Sequence, residues 1–424
     1  MSEVLYGQEA AVMPSGRIPK EFCVRCKGAR NLCGLGYCPI LVSLKSSVRS
    51  FMSLKGREVD GASPPTAVVG ESGYPRVNVY LGVPPGVHGA EAKLYDSPTE
   101  WHLRLGLKDI IGLRSRLVHA SVRVDVRKPE VLYEKEVGLA GLSESPVDVE
   151  AELRRPPKLV VTFSPILPPS GPSAPAERVR ITDNPRLHPV LEKLLWDDVK
   201  AGEAAWALYR GGVDFHIIVR ALTLGFLGRR RGKRAVPTRW GITAVDSMIS
   251  SRMLRNIRAM GTVNNVLVFH ASYLHNKYTV VVAPGRYSTS WIEVWRPNSL
   301  WNPGSVPTAF EVRDDFKGNL SVMDGGFIAA RTPVLEYLRS IGRQARVMIL
   351  REVEPEYIYP VGSWQIRLTV KHALLSGALM KNPTRRELAE FLMSRHSVPA
   401  EVIEKVVSKV FTPQGKSLYE YVKS

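Results

Sequence analysis

Apolar and polar positions change period along the chain, and the changes divide it. Residues 41–54 (LVSLKSSVRSFMSL) carry apolar side chains at helical spacing, with Lys45 and Arg49 between them. From 60 to 165 the pattern turns strand-like. Runs at 66–69, 77–81, 117–126 and 159–163 are short, β-branched and bounded by Gly or Pro, and alternation is clear in RVNVYLG and SVRVDV. A helix is predicted within this part at 100–112. Residues 164–176 (SPILPPSGPSAPA) read as a Pro/Ser-rich linker or long loop. Helical spacing returns at 187–209, with Asp183 or Asn184 as a cap, and again at 213–227. A helix over 244–260 follows. Strands are predicted at 265–271 and 278–283 as an antiparallel pair, then at 291–295 and Arg346–Val353. The chain closes with helices at 364–380, 385–393 and 400–410. Thr384-x-x-Glu387 opens the second of these as a capping box. No fixed-period repeat is present.

The alternation of types predicts an α+β fold: an N-terminal four-cysteine zinc module, a mixed and mostly antiparallel sheet core with helices, and a C-terminal helical region. The expected division is 1–40 for leader and cysteine module, 41–163 for a first α+β part, 164–176 for the linker or loop, 177–360 for a second α+β part, 361–412 for the C-terminal helices and 413–424 for a tail.

Composition adds a partner class. The chain has 424 residues, 44% of them hydrophobic, enough for a sizeable core. Lys and Arg number 58 against 40 Asp and Glu, a formal net charge of +18. That excess points to a polyanion, with nucleic acid ahead of an acidic membrane. The longest apolar runs have strand length, so no membrane span is expected. The first residues, MSEVLYGQEA, lack the apolar core of a signal peptide, which makes a cytoplasmic protein the expectation.

All four cysteines lie in one short run, Cys23, Cys26, Cys33 and Cys38, spaced C-x2-C-x6-C-x4-C. Four thiolates suit zinc, with Zn–S near about 2.3 Å, and leave no coordination position for a catalytic water. An iron–sulfur cluster also takes four cysteines. Disulfides or free thiols complete the alternatives. A second signal is basic: Arg229, Arg230, Arg231, Lys233, Arg234 and Arg239 fall within one short stretch without an acid, and Trp240 follows. Guanidinium groups bind phosphate bidentately, and an indole stacks on a base. Thr238, Thr243, Asp246, Ser247 and Ser250 come next, at the start of a predicted helix beside that run.

Asp246, His270 and His275 are the candidate catalytic residues for a rival reading, a metal-dependent nuclease or phosphohydrolase acting on nucleic acid or nucleotides. No phosphate-loop, HExxH or G-x-S-x-G motif supports a common enzyme class. In the tail, Leu418, Tyr421 and Val422 stand at i, i+3 and i+4, so one helical turn would present them together to a partner's pocket.

Taken together, several stretches resemble the archaeal Nre family of DNA-repair proteins. They are Cys23-x2-Cys26-Lys27-Gly28, Leu32-Cys33-Gly34, Cys38-Pro39-Ile40, Gly70-Glu71-Ser72-Gly73-Tyr74-Pro75, Arg234-x2-Pro237-Thr238-Arg239-Trp240-Gly241-Ile242-Thr243 and Pro360-x2-Ser363-Trp364-Gln365. The resemblance implies a role in the response to DNA damage. For members with the tail motif it also implies recruitment by the sliding clamp PCNA. Clamp-binding tails read Gln-x-x-aliphatic-x-x-aromatic-aromatic. Here Leu418, Tyr421 and Val422 fill the last three positions, but Gly415 stands where the glutamine belongs, Gln414 comes one residue early, and Val422 is not aromatic. The resemblance implies no particular reaction, and an RNA-associated protein is a third reading.

Overall fold

The computed structural model describes residues 21–47, 56–134, 136–158 and 161–412. The expected leader at 1–20, part of the 41–54 helix and the tail residues Gln414, Leu418, Tyr421 and Val422 lie outside them.

Two six-stranded sheets carry the architecture. The first is built from β1 (Glu58–Ser63), β2 (Ala67–Val69), β3 (Arg76–Val83), β4 (Val118–Asp125), β5 (Val147–Leu153) and β6 (Ser173–Ile181), in spatial order β1-β5-β6-β4-β3-β2. The second uses β7 (Leu267–Tyr273), β8 (Asn276–Ala283), β9 (Ser288–Trp295), β10 (Thr308–Asp314), β11 (Arg346–Val353) and β12 (Met380–Lys381), in order β10-β9-β11-β8-β7-β12. Each sheet is antiparallel except for one parallel pair, β4–β6 in the first and β9–β11 in the second. The mixed, mostly antiparallel α+β class expected from the pattern is therefore the one found.

A helical layer sits between the sheets. Thr238–Ile257 packs on Gly325–Ser340, which packs on Trp364–Leu375, and Phe215–Thr223 carries the contact on to β2. One apolar core runs through all of it, from Val79 and Ala120 to Ile249, Leu335 and Val280. The opposite face of the second sheet is buried as well. Val281, Ala283 and Met348 pack on Leu388, Val406 and Val407 of helices Arg385–Arg395 and Ala400–Phe411. Burial on both faces explains why β8 reads as an unbroken apolar run rather than an alternation. The capping box opens Arg385–Arg395 as expected: the Thr384 hydroxyl accepts from the Glu387 amide, and the Thr384 amide donates to the Glu387 carboxylate at 2.7 Å.

Several expectations need correction. The last four residues of the 164–176 stretch are not linker: from Ser173 the chain is β6, a central strand paired with both β4 and β5. Its loop is packed as well. A Cβ on Gly171 would lie 2.3 Å from the Leu117 carbonyl oxygen, so only glycine allows the approach. The strand expected at 159–163 is reduced, within the described residues, to one isolated bridge between Thr162 and Ser170. The helix expected at 187–209 is two helices, Pro189–Leu195 and Ala201–Arg210, and His188 rather than Asp183 or Asn184 caps the first. The helix expected at 364–380 stops at Leu375. Gly377 takes a φ of +91°, and Met380–Lys381 turns back as a strand on β7. No helix among the described residues is long and apolar enough to cross a membrane.

Candidate functional site

The cysteine module is fastened to the body. Helix Glu21–Cys26 ends in a turn with Lys27 and Gly28 at positive φ, closed by the Lys27 amide on the Cys23 carbonyl at 2.8 Å. A Cβ on Gly28 would meet Leu41 Cδ1 at 2.6 Å. Val24 is fully buried in a cluster with Trp101, Trp295, Trp301 and Trp364. The turn sends Lys27 inward. Its ammonium lies 2.7 Å from Glu293 and 3.6 Å from Asp324, and sits 4.9 Å over the Phe310 ring. Glu293 is 0% exposed, and its second oxygen accepts from Arg351 at 2.7 Å. Arg351 in turn donates twice to the Asn276 amide oxygen. Asp324 also caps helix Gly325–Ser340 through the Phe327 amide at 2.9 Å and faces Arg30 at 3.7 Å. Burial alone would raise the Asp324 carboxyl, but Lys27, that amide and Arg30 outweigh it and lower the pKa.

Four free thiols, Cys23, Cys26, Cys33 and Cys38, line one cavity of about 480 Å³. Burial first, then the other three sulfurs, raise the Cys23 thiol. A bound cation would relieve that mutual repulsion, so the donor set suits a thiophilic metal. The described residues hold one cluster of three ligand atoms within 4.8 Å, and it is elsewhere, at His275, Glu354 and Glu356. There Lys277 already neutralises Glu354 at 2.8 Å.

The Arg234–Thr243 and Gly70–Pro75 stretches meet beside this module. The Thr238 hydroxyl accepts from the Val69 amide at 2.8 Å, and Arg239 donates to the Glu71 carboxylate at 2.7 Å. Arg239, Ala29 and Pro165 form a shared wall between two cavities. The one toward the first sheet has about 490 Å³ and touches Glu71, Tyr80 and His119. The one toward the second sheet has about 520 Å³ and touches Trp240, Thr243, Asp324, Arg351 and Gln365. Pieces far apart in sequence thus converge on one cleft under the cysteine module.

The basic run is split by the fold. Arg239 and Trp240 open helix Thr238–Ile257 and turn into the cleft, with Trp240 50% exposed at its mouth. Arg229 to Arg234 stay on the outside. Their loop is pinned to the break between helices Pro189–Leu195 and Ala201–Arg210: the Arg230 amide donates to Asp198 at 2.7 Å, and the Lys233 ammonium to the Leu195 carbonyl at 2.6 Å. Burial, and next Arg230, lower the Lys233 pKa. Arg229, Arg231 and Arg234 are exposed, and among the described residues none has a carboxylate partner. An aromatic in contact with this loop is Trp196, 62% exposed, edge-on to Tyr133 at 5.4 Å, with its carbonyl accepting from Arg230.

The three candidate catalytic residues have separate partners. Asp246 is buried, ion-paired to Arg367 and bonded by the Thr332 hydroxyl at 2.8 Å. His270 Nδ1 meets the Thr279 hydroxyl at 2.9 Å, which reaches His396 Nε2 at 2.7 Å and, through that ring, Glu352 at 3.1 Å. Burial first, and then His396, lower His270 to about 4. His275 lies in the two-residue turn between β7 and β8 with a φ of +57°. No common site joins them. The residues that sequence reasoning missed are Lys27, Glu293, Asp324 and Arg351. Glu293 in SWIEVW and Arg351 in MILREV were the available signal: a charge inside a strand otherwise apolar on both faces must find a buried partner.

Fold and cleft define an α+β protein of two mixed sheets with a cysteine module held over a charged cleft by buried ion pairs. The chain belongs to the archaeal Nre family. The model described as "Archaeal Nre, N-terminal" matches residues 32–302, and "Archaeal Nre, C-terminal" matches 313–420. The chain is similar to DNA repair protein NreA of Archaeoglobus fulgidus, 34% identical over 364 residues, 84% of this chain and 88% of the relative. It is similar to DNA repair protein NreB of the same organism, also 34% identical, over 81% of this chain and 86% of that one. DNA repair protein NreA of Haloferax volcanii is 30% identical over 80% of this chain and 84% of its own. No solved structure matches the chain.

Proposed function

We propose that this protein is a DNA-repair factor that holds DNA by its phosphates through the 229–234 loop and is brought to the sliding clamp PCNA by its C-terminal tail. The observation that carries the DNA part is electrostatic. Three exposed arginines without carboxylate partners among the described residues stand on a loop whose own backbone is tied down, next to an exposed tryptophan. Bare guanidinium groups repel one another and gain most from a polyanion, while an indole beside them accepts a stacked base. The names of the relatives, DNA repair proteins from two archaea, favour DNA as that polyanion.

The test is a salt titration of duplex and single-stranded DNA binding. Each duplex phosphate contact adds about 0.9 to the slope of log affinity against log salt. Arg229→Ala, Arg231→Ala and Arg234→Ala together should flatten the slope, and an unchanged slope would sink the assignment. An RNA preference in the same assay would favour the RNA-associated reading instead. For the clamp, deletion of residues 414–424 should abolish binding to PCNA. Full retention would contradict the tail's role.

Zinc is the metal proposed for Cys23, Cys26, Cys33 and Cys38. Four thiolates would close its coordination, so its part would be to hold the turn that places Lys27. Metal analysis of the purified protein distinguishes zinc from iron.

A further inference from the structure

The cavity toward the first sheet is lined on two chemically different sides. Lys45, Arg155, Lys158 and Arg239 give one side a cationic rim. Arg239 is paired with Glu71; among the described residues Lys45, Arg155 and Lys158 have no carboxylate partner. The other side is apolar and aromatic, with Val69, Leu41, Tyr80 and Phe163. His119 lies at the bottom. It is 2% exposed, Tyr80 stands edge-on to it at 6.5 Å, and neither ring nitrogen makes a well-formed hydrogen bond. A buried imidazole of this kind calls for a partner from within the cavity. Burial first, and then Arg114, hold the ring neutral, against Asp96 and the nearby carbonyls of Pro172 and Leu117. A neutral imidazole offers one donor and one acceptor. The volume, about 490 Å³, lies in the range of small-molecule sites, roughly 300–1,000 Å³.

We propose that this cavity binds a nucleoside monophosphate, free or as the phosphate-bearing end of a DNA strand. The phosphate would meet Arg155 and Lys158 at the rim, and the base would lie along Tyr80 with its polar edge toward His119. Bare cations at the rim call for a dianion. Apolar walls with one buried imidazole beneath them, its ring nitrogens without a well-formed hydrogen bond, call for a flat, polar-edged group attached to it. The site uses none of the residues of the 229–234 loop, so it stands or falls independently of DNA binding by that loop.

Calorimetry on the full chain tests it with three probes: inorganic phosphate, the nucleoside monophosphates, and oligonucleotides with and without a terminal phosphate. Mononucleotides should bind more tightly than inorganic phosphate. Arg155→Ala with Lys158→Ala, both at exposed positions, should weaken them at least about tenfold. His119→Asn should weaken mononucleotides and leave inorganic phosphate unchanged, a split that a fold defect would not produce. Tighter binding of phosphorylated than of unphosphorylated ends identifies the strand end as the source. Tighter binding of free nucleotide identifies the mononucleotide. Equal affinity for inorganic phosphate and nucleotides, no binding of either, or an unchanged affinity in the double variant overturns the proposal. If the 229–234 variants lose DNA while mononucleotide binding persists, the two sites are separate.

Discussion

The two cationic regions of this protein use the same side chains in opposite ways. Under the cysteine module, Lys27 and Arg351 are enclosed with Glu293 and Asp324, and every charge has a partner within reach. On the 229–234 loop, Arg229, Arg231 and Arg234 face solvent without one among the described residues. Buried charges cost several kcal/mol each to desolvate, so they persist only when paired, and they then hold elements together. Exposed, unpaired arginines contribute little to the fold and remain available to a ligand. A net charge of +18 says nothing about this division. Only the packing shows which cations are committed.

Removing one buried partner should have the largest effect. Glu293→Ala leaves Lys27 and Arg351 enclosed without their shared carboxylate. It should cost about 3–5 kcal/mol in chemical denaturation, and the cysteine module should become protease-sensitive first. A loss below about 1 kcal/mol would mean that the network is not what holds the module. On the outer surface, Trp196→Ala should weaken single-stranded DNA by about 1–3 kcal/mol, the worth of one stacked base, with stability nearly unchanged. Trp240→Ala should leave that affinity as it was. The reverse ranking would return the stacking role to the cleft.

Acid offers a gentler probe of the C-terminal helices. Burial raises the Glu352 carboxyl, but His396, Lys277 and the Ser397 amide outweigh it and lower its pKa below the ordinary 4.5. A depressed carboxyl contributes stability that is complete above its unfolded value and is lost as the pH falls through the folded one. Stability should therefore drop as the pH falls below about 4.5, and less steeply in Glu352→Gln. Parallel curves would show that Glu352 is not a source of the acid sensitivity. The smallest stability change, within about 0.5 kcal/mol, is expected for the loop arginines, since surface substitutions away from caps and cores rarely cost more.

The fold was legible where local chemistry dictates structure. Thr384 and Glu387 announced a helix start, and Arg346–Val353 was bounded correctly because a β-branched apolar run has few other uses. It was obscure where tertiary contacts override local preference. The prolines of 164–176 resemble a linker, yet the chain from Ser173 is held between β4 and β5, and Gly171 packs against the carbonyls of Arg114 and Leu117. The break at Trp196 carries no glycine or proline. It is marked instead by Asp198, whose carboxylate is engaged by the Arg230 amide 32 residues away. For the site, the basic run was visible, but its division between two surfaces was not. Helix Thr238–Ile257 begins six residues earlier than the apolar spacing implied and carries Arg239 and Trp240 away with it. His119 gave no signal, because a lone histidine in an apolar strand looks like any core residue.

The most direct measurement is the salt slope of DNA binding for the Arg229→Ala, Arg231→Ala, Arg234→Ala variant beside that of Glu293→Ala under conditions where both remain folded. The loop variant should lose slope in proportion to the phosphates it releases, about 0.9 for each, while Glu293→Ala keeps the slope of the unaltered protein. A loop variant with the original slope, or an equal loss in Glu293→Ala, would contradict the assignment of the phosphate contacts to the 229–234 loop.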